Sequence, residues 1–250
     1  MMHLSLPAIG LLVVAGLAAG IVNGIAGGGS LLTFPALLAA GLPPVSANVT
    51  NSVSVAPGYL SSVYGSRREL AGQKRRAWTL VPIAVVGAGI GCVLLLITPG
   101  DIFEYIVPFL VLGATAVLAF QDQLKGLARR GRTTTMVGLT FVGSAYGGYF
   151  GAALGVVLVA VLALVIDETL QRVNALKNVL SATVGLVTVA VYALFGPVSW
   201  LGVAVTAPAT IVGGYLGAKL AKKLSAQALK ITVVVFGTVI GLVLLYRAIW

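Results

Sequence analysis

Long apolar stretches are the feature of this sequence that most constrains its fold. Several of them approach or exceed the roughly 18 residues that indicate a helix crossing a bilayer. Of the 250 residues only 9% are charged, whereas a soluble domain usually carries about a quarter. The sequence therefore predicts an all-α, polytopic helical membrane protein, and it leaves almost no residues for a soluble domain.

The basic residues cluster in a way that indicates the orientation of the chain in the membrane. Thirteen of the sixteen Lys and Arg residues fall in three short loops. They are Arg67, Arg68, Lys74, Arg75 and Arg76, then Lys125, Arg129, Arg130 and Arg132, and finally Lys219, Lys222, Lys223 and Lys230. Basic loops between spans face the cytoplasm, so we expect a multi-pass protein of the plasma or inner membrane whose basic loops contact anionic lipid. No basic patch is interleaved with aromatic residues on an exposed fold, so nucleic acid is not an expected partner.

The chain repeats itself weakly but in order. The glycines at positions 20, 24 and 28 recur 123 residues later at positions 143, 147 and 151. We therefore predict a first transmembrane repeat at 1–122, a basic cytoplasmic linker at 123–132 and a second repeat at 133–250. If the two apolar pieces around the Gly break of each half form a re-entrant hairpin, each half has three crossings, and if both pieces span, each half has five. Because both numbers are odd, the two repeats have inverted topology, as in many secondary transporters.

The stretch NGIAGGGSLLTFP at residues 23–35 interrupts the first apolar run with three consecutive glycines. Non-helical backbone is tolerated at membrane depth only inside protein or beside a water-filled cavity, and Gly-interrupted segments in both halves indicate a binding site. We expect Gly27, Gly28 and Gly29 to release backbone N–H groups. We expect Ser30 to cap the half-helix that follows, whose N-terminus favours an anion. The alternative is that these glycines only allow close helix packing.

A lysine inside a predicted span is the second candidate feature. Lys177, in VNALKN, lies about two turns into a predicted span, and intramembrane charge is a functional hypothesis by default. We expect it to converge with neutral polar residues at a pseudo-two-fold axis. These are Asn174 and Asn178 beside it, and Asn48, Thr50, Asn51 and Ser52 in ANVTNS of the first half. One positive charge among neutral donors describes a site for a small anion. The alternatives are that Lys177 reaches back to the cytoplasmic interface, and that the asparagines cap helices or bond between them.

The remaining ionisable residues argue against other chemistries. All six acidic residues fall in predicted loops or at span ends: Glu69, Asp101, Glu104, Asp122, Asp167 and Glu168. A proton relay or a sodium site built on carboxylates is therefore not expected, while a sodium site built on backbone carbonyls stays open. The one histidine is His3, and no metal-ligand spacing or nucleophile motif occurs. We predict neither an enzyme, nor a metal site, nor a cofactor.

Several motifs resemble one family. The run GIVNGIAGGGSLLTFP, the later ANVTNS and YGSRREL, and VNALKNVLSATVG in the second half resemble the sulfite exporter TauE/SafE family, also grouped as toluene-sulfonate uptake permeases. The resemblance covers about residues 8–247 and implies transport of sulfite, organosulfonates or related organic anions. Carried over by position, its site residues are Gly27, Gly28, Gly29, Asn48, Thr50, Asn51, Ser52, Asn174, Lys177 and Asn178. The second repeat lacks the triple glycine and an equivalent of Pro35, so a symmetric second half-site is not predicted.

Together these features predict a transporter that carries a small sulfite-like or sulfonate anion by alternating access of two inverted halves. A passive anion channel with the same residues, or a membrane scaffold with no flux of its own, are the alternatives. The size of the chain is compatible with a homodimer. Five aromatic residues either line a pocket for an aromatic sulfonate or form an interface belt: Tyr59, Tyr64, Trp78, Tyr146 and Trp200.

Overall fold

The structure is a computed structural model that describes residues 5–25, 28–120, 123, 133–152, 154–220 and 226–249. Ten helices occupy these ranges: α1 (Leu6–Ile25), α2 (Ser30–Ala39), α3 (Pro44–Gly65), α4 (Lys74–Ile97), α5 (Gly100–Ala119), α6 (Thr133–Tyr149), α7 (Leu154–Val165), α8 (Leu170–Phe195), α9 (Trp200–Leu220) and α10 (Ala226–Ile249). The described part of the chain contains no β-strand. The predicted all-α class is confirmed.

The helices differ in length and polarity in a way that fits a membrane protein. Five of those described are long and apolar enough to span a membrane, namely α1, α4, α5, α8 and α9. α2 has 10 residues and α7 has 12, which is about 15 and 18 Å of helix, well short of the roughly 30 Å hydrocarbon core. α3 is long but rich in buried Ser, Thr and Asn, so it lies inside the bundle. The chain is a multi-pass helical membrane protein.

Each predicted repeat begins with a helical hairpin whose short second arm turns back along the first. At the α1–α2 turn Gly28 has a φ of 90°, and Gly29 lies against the backbone of Ala19 in α1. At the α6–α7 turn Gly151 has a φ of 70°, and α7 starts with Leu154 packed on Gly147 of α6. Positive φ favours glycine, which has no Cβ. The short apolar pieces therefore form hairpin arms and not independent spans.

The first helix of each half packs against the fourth helix of the other half. α1 contacts α9 at Gly20 and Gly24, where an added Cβ would lie 2.6 Å from backbone atoms of α9. α6 contacts α4 in the equivalent way, with Ala145 of α6 against Gly91 of α4. Small residues let helix backbones approach closely in membrane proteins. The two halves thus interlock, and neither half packs as a separate unit.

The equivalent helices α3 and α8 cross antiparallel inside the bundle. Gly196, just after α8, packs on Val49 near the start of α3, and Gly185 packs on Ala56 halfway along. Asn178, near the start of α8, contacts Ser66 just after α3. Inverted repeats require opposite directions for equivalent helices, and this pair meets that requirement.

Charged residues lie mainly at the helix ends. We call the end of the molecule where α3 and α9 finish the basic-loop end. There Glu168, just before α8, forms ion pairs of 2.9 Å with Arg76 and with Arg172. The described acidic residues lie in turns or near the starts of helices: Glu69, Asp101, Glu104, Asp167 and Glu168. Asp122 and the second basic loop lie outside the described residues.

Candidate functional site

Lys177 is fully buried on α8, with 0% of its side chain exposed. Its Nζ donates a 2.6 Å hydrogen bond to the carbonyl oxygen of Asn23, in the last turn of α1. The last carbonyls of a helix lack intrahelical partners and carry partial negative charge, so this contact stabilises the end of α1 at the broken hairpin. The prediction that Lys177 lies inside the protein is confirmed. The alternative that it reaches back to the interface is wrong, because the side chain extends to α1.

The Lys177 ammonium group retains donors and has no counter-ion among the described residues. An ammonium group has three N–H donors, and the bond to Asn23 is the one it makes with the described residues. No described carboxylate pairs with it, and the ion pairs of Glu168 go to Arg76 and Arg172. Burying a charge without a compensating partner is costly. A bound anion would supply both the counter-charge and the missing acceptors.

Two asparagines beside Lys177 hold neighbouring segments with their amide donors. Asn174 Nδ2 donates a 3.0 Å bond to the carbonyl oxygen of Gly24 in α1, and Asn178 Nδ2 donates a 3.1 Å bond to Ser66 Oγ. Both Oδ1 atoms are buried and have no partner among the described residues. We call Asn174, Lys177 and Asn178 the Lys177 cluster. Its asparagines form interhelical contacts, as one alternative proposed, and its unused donors are on Lys177 and Asn174.

A second group of buried polar residues lies on α3, and we call it the Asn51 cluster. It comprises Asn48, Thr50, Asn51 and Ser52. Asn48 Nδ2 donates a 2.9 Å bond to the carbonyl oxygen of Tyr149, the last residue of α6. Thr50 Oγ1 accepts a 2.9 Å bond from the backbone N–H of Ser199, just before α9. These two side chains therefore anchor the ends of other elements.

Asn51 and Ser52 keep free donors at the second hairpin. Asn51 Oδ1 accepts a 2.5 Å bond from Thr33 Oγ1 of α2, but Asn51 Nδ2 and Ser52 Oγ have no partner among the described residues. Both residues line a small cavity, together with Val55, Tyr59, Gly147, Gly151, Leu154, Val184, Gly185 and Thr188. Its volume is about 10 Å³, the space of about one water molecule. An ion larger than a water molecule therefore enters only if this cavity opens.

The two clusters lie at different depths along the α3–α8 pair. Lys177 is level with the end of α3, because its neighbour Asn178 contacts Ser66. Asn51 lies about 14 residues nearer the start of α3, or about 20 Å along the helix axis. The expectation that the clusters converge is therefore wrong. Each cluster instead donates hydrogen bonds to a hairpin of the opposite half. The Lys177 cluster bonds to backbone carbonyls of α1, and the Asn51 cluster bonds to the last backbone carbonyl of α6.

The residues at the Gly-rich break have different roles in the structure from those predicted. Ser30 is the first residue of α2 and makes no side-chain cap, so its predicted capping role is wrong. Asn23 performs that role, because its Oδ1 accepts a 2.8 Å bond from the N–H of Gly29. Gly28 provides the positive φ of the turn, whereas a Cβ on Gly29 would lie 2.0 Å from a carbonyl oxygen of α1. Close packing thus accounts for Gly29 but not Gly28, and Gly27 lies outside the described residues.

The alternative that Asn48 caps α3 is wrong. α3 begins at Pro44 and has no side-chain cap. Ser46 Oγ donates a 2.8 Å bond to the carbonyl oxygen of Pro197, beyond the end of α8. Both residues therefore connect α3 to other elements, because the proline starts the helix one turn earlier than the polar residues suggest.

The five aromatic residues lie in different environments. Tyr59 is buried and lines the cavity of the Asn51 cluster. The Tyr146 hydroxyl donates a 2.8 Å bond to the carbonyl oxygen of Ala152 within the α6–α7 hairpin. The other three are more than half exposed, as in an interface belt: Tyr64, Trp78 and Trp200.

Three residues with a role in this region were not predicted as site residues from the sequence. Gly151 has a signal that identifies it, because it lies 123 residues after Gly28 and both have positive φ. The second half therefore has the equivalent turn without a triple glycine. Asn23 precedes the glycines, but its contact with Gly29 depends on how the turn folds back. Tyr149 contributes a backbone carbonyl, which no residue type signals.

The chemistry that these clusters offer is one cation and several neutral hydrogen-bond donors. In the described part of the chain, no group of three or more His, Cys, Asp and Glu residues is arranged to hold a metal ion. Interlocked halves, broken-helix hairpins and buried polar residues beside them are the architecture of secondary transporters. The fold and the polar clusters therefore define a membrane protein of the transporter class.

Comparison with known proteins identifies the family. The sequence profile of the family described as "Sulfite exporter TauE/SafE" matches residues 12–244. The chain therefore belongs to the sulfite exporter TauE/SafE family of membrane transporters. No solved structure matches the chain significantly.

Three relatives span nearly the whole chain. A "Probable membrane transporter protein" of Haemophilus influenzae is 28% identical over 253 residues, covering 100% of this chain and 99% of the relative. The "Probable membrane transporter protein YfcA" of Escherichia coli K12 is 28% identical over 95% of this chain and 90% of its own length. The "Probable membrane transporter protein ORF9" of Sinorhizobium sp. is 25% identical over 98% of this chain and 95% of its own length.

Proposed function

We propose that this protein carries small sulfur-containing anions, such as sulfite or an organosulfonate, across the membrane by alternating access of its two halves. The observation that carries the proposal is Lys177, a buried cation with unused donors and no ion pair to a described carboxylate. A small anion compensates such a charge. The family description, which names sulfite, supports the sulfur-containing class.

The Asn51 cluster supplies the second part of the proposed path. Asn51 Nδ2 and the Ser52 hydroxyl are buried donors with no partner in the described part of the chain, and they lie about 20 Å from the level of Lys177. An anion that leaves Lys177 therefore meets neutral donors near the opposite end of the bundle. We propose that the two clusters bind the anion at different stages of transport.

The small cavity favours a carrier over a passive channel. The free donors of Asn51 and Ser52 border a volume of about 10 Å³, and a sulfite ion is larger than the single water that such a space holds. Access therefore requires the hairpins to move relative to α3 and α8.

The basic loops set the proposed orientation. α3 ends at Gly65 immediately before Arg67 and Arg68, and α9 carries Lys219 in its last turn. By the positive-inside rule these ends face the cytoplasm. We therefore propose that the protein lies in the cytoplasmic membrane, with the Lys177 cluster near the cytoplasmic side and the Asn51 cluster near the outer side.

A thermal-unfolding panel on the purified, detergent-solubilised protein tests the ligand class. A ligand that binds only the folded protein at 100 times its Kd adds about 2.7 kcal/mol to the free energy of unfolding. We expect sulfite, thiosulfate or a particular alkyl or aryl sulfonate to raise the unfolding temperature by several degrees. Acetate at equal ionic strength and cationic controls should leave it unchanged. Equal shifts with all anions, or none with any sulfur anion, would contradict the proposed substrate class.

A further inference from the structure

A basic and aromatic cavity lies at the basic-loop end, outside the two polar clusters. It has a volume of about 440 Å³, far larger than the cavity beside Asn51. It lies between the ends of α3 and α9, and it is lined by Tyr64, Gly65, Arg67, Arg68, Glu69, Tyr215, Ala218 and Lys219. Three of these residues carry positive charge and one carries negative charge, so the cavity favours an anion.

The cations in this cavity are held in place by tyrosine rings. The guanidinium carbon of Arg67 lies 4.4 Å from the centroid of the Tyr64 ring, and Lys219 Nζ lies 4.4 Å from the centroid of the Tyr215 ring. The two rings stack on each other with centroids 6.2 Å apart. Cation–π contacts fix a long side chain without neutralising its charge. Both cations therefore line the same cavity with their charge available, Lys219 from α9 and Arg67 from just after α3.

The surface next to the cavity is apolar. Leu60 lies one turn before Tyr64 on α3, and Ile211 lies one turn before Tyr215 on α9, so each pair shares a helix face. Leu60 is 45% exposed and Ile211 is 44% exposed. Along both helices the order is therefore aliphatic, then aromatic, then cationic, and it ends in the charged cavity. A ligand that matches this order has an apolar tail and an anionic head.

We propose that this cavity binds the phosphate headgroup of an anionic phospholipid, with the acyl chains lying along Leu60 and Ile211. Arg67 and Lys219 contact the phosphate, and Tyr64 and Tyr215 lie at the level of the glycerol. Basic pockets between the ends of transmembrane helices are suited to such headgroups. α3 belongs to the first half and α9 to the second, so the bound lipid joins the ends of the two halves.

Native mass spectrometry of the purified protein tests this site. We expect the wild-type protein to retain phosphatidylglycerol in preference to phosphatidylcholine. The double variant Arg67→Gln/Lys219→Gln should retain about 25-fold less phosphatidylglycerol, from roughly a fivefold contribution by each cation at a membrane surface. The matched control Lys74→Gln/Arg75→Gln removes two charges from the same basic region outside the cavity, and it should bind lipid as the wild type does.

Several outcomes would overturn the proposal. Equal losses in the two double variants would show diffuse attraction to the basic region and no site. Displacement of the lipid by inorganic phosphate at similar concentrations would show a site for free phosphate. If the double variant unfolds, the single variant Lys219→Gln provides the test, with an expected loss of about fivefold. None of these readouts depends on transport, so failure of the lipid site and failure of the proposed transport function are distinguishable.

Discussion

Replacing Lys177 with methionine is expected to abolish stabilisation by sulfur anions while leaving the protein folded. Methionine has a similar length and no charge, so the variant loses the only described cation inside the polar clusters. Loss of a buried charge–anion contact costs several kcal/mol, and we expect at least a 100-fold weaker apparent affinity. The measurement is the anion-dependent shift in unfolding temperature of wild type and variant.

The same variant separates a binding role from a structural one. Without ligand, Lys177→Met loses the hydrogen bond to the Asn23 carbonyl, which costs about 1–3 kcal/mol. The variant also no longer buries a charge in the folded protein, and this gain in stability offsets the cost of the lost hydrogen bond. We therefore expect the ligand-free unfolding temperature to change by only a few degrees. The control Lys74→Met, at an exposed position of α4, should keep the full anion response. An unchanged response in Lys177→Met would show that the lysine only anchors the end of α1.

The second large effect is expected at the α4–α6 contact. A Cβ on Gly91 would lie 2.0 Å from the carbonyl oxygen of Ala145 and 2.8 Å from the backbone nitrogen of Tyr149. Both contacts are with backbone of α6, so the helices must separate to accommodate Gly91→Ala. Overpacking of this kind costs about 1–3 kcal/mol and sometimes more. We expect a loss of folded protein and a fall of many degrees in unfolding temperature.

Gly89 provides a matched control on the same helix. An added Cβ at Gly89 meets nothing within 4 Å, and alanine is a better helix former than glycine by about 1 kcal/mol. Gly89→Ala should therefore be neutral or slightly stabilising. If Gly89→Ala and Gly91→Ala unfold at the same temperature, α4 and α6 do not pack as the structure has them.

Much of the fold follows from the sequence because a membrane limits the choices. Long apolar stretches form helices of membrane-spanning length, and Gly28 and Gly29 of the glycine run lie at the α1–α2 turn. The repeat of Gly28 at Gly151 also has a structural meaning, since both residues adopt positive φ at equivalent hairpins. The length of an apolar stretch and the backbone freedom of a glycine are local properties, so both can be predicted from the residues of the segment alone.

The candidate site was harder to predict because it depends on partners far apart in the chain. Asn174 lies beside Lys177 in sequence, but its partner Gly24 is 150 positions away. Asn48 contacts Tyr149 of the opposite half, so each half holds a helix end of the other. A single sequence indicates which residues are polar but not the depth at which antiparallel helices place them. That is why one convergent site was expected, whereas the structure has two clusters.

Counterflow in proteoliposomes tests the central claim most directly. Vesicles containing the purified protein are loaded with unlabelled anion, chosen by the unfolding panel, and diluted into trace labelled anion. An alternating-access carrier should show saturable uptake with transient accumulation of label above its equilibrium level, and Lys177→Met vesicles should not. Linear flux that neither saturates nor shows counterflow would contradict the carrier account and indicate a channel. The absence of flux with every sulfur anion would contradict the proposed function itself.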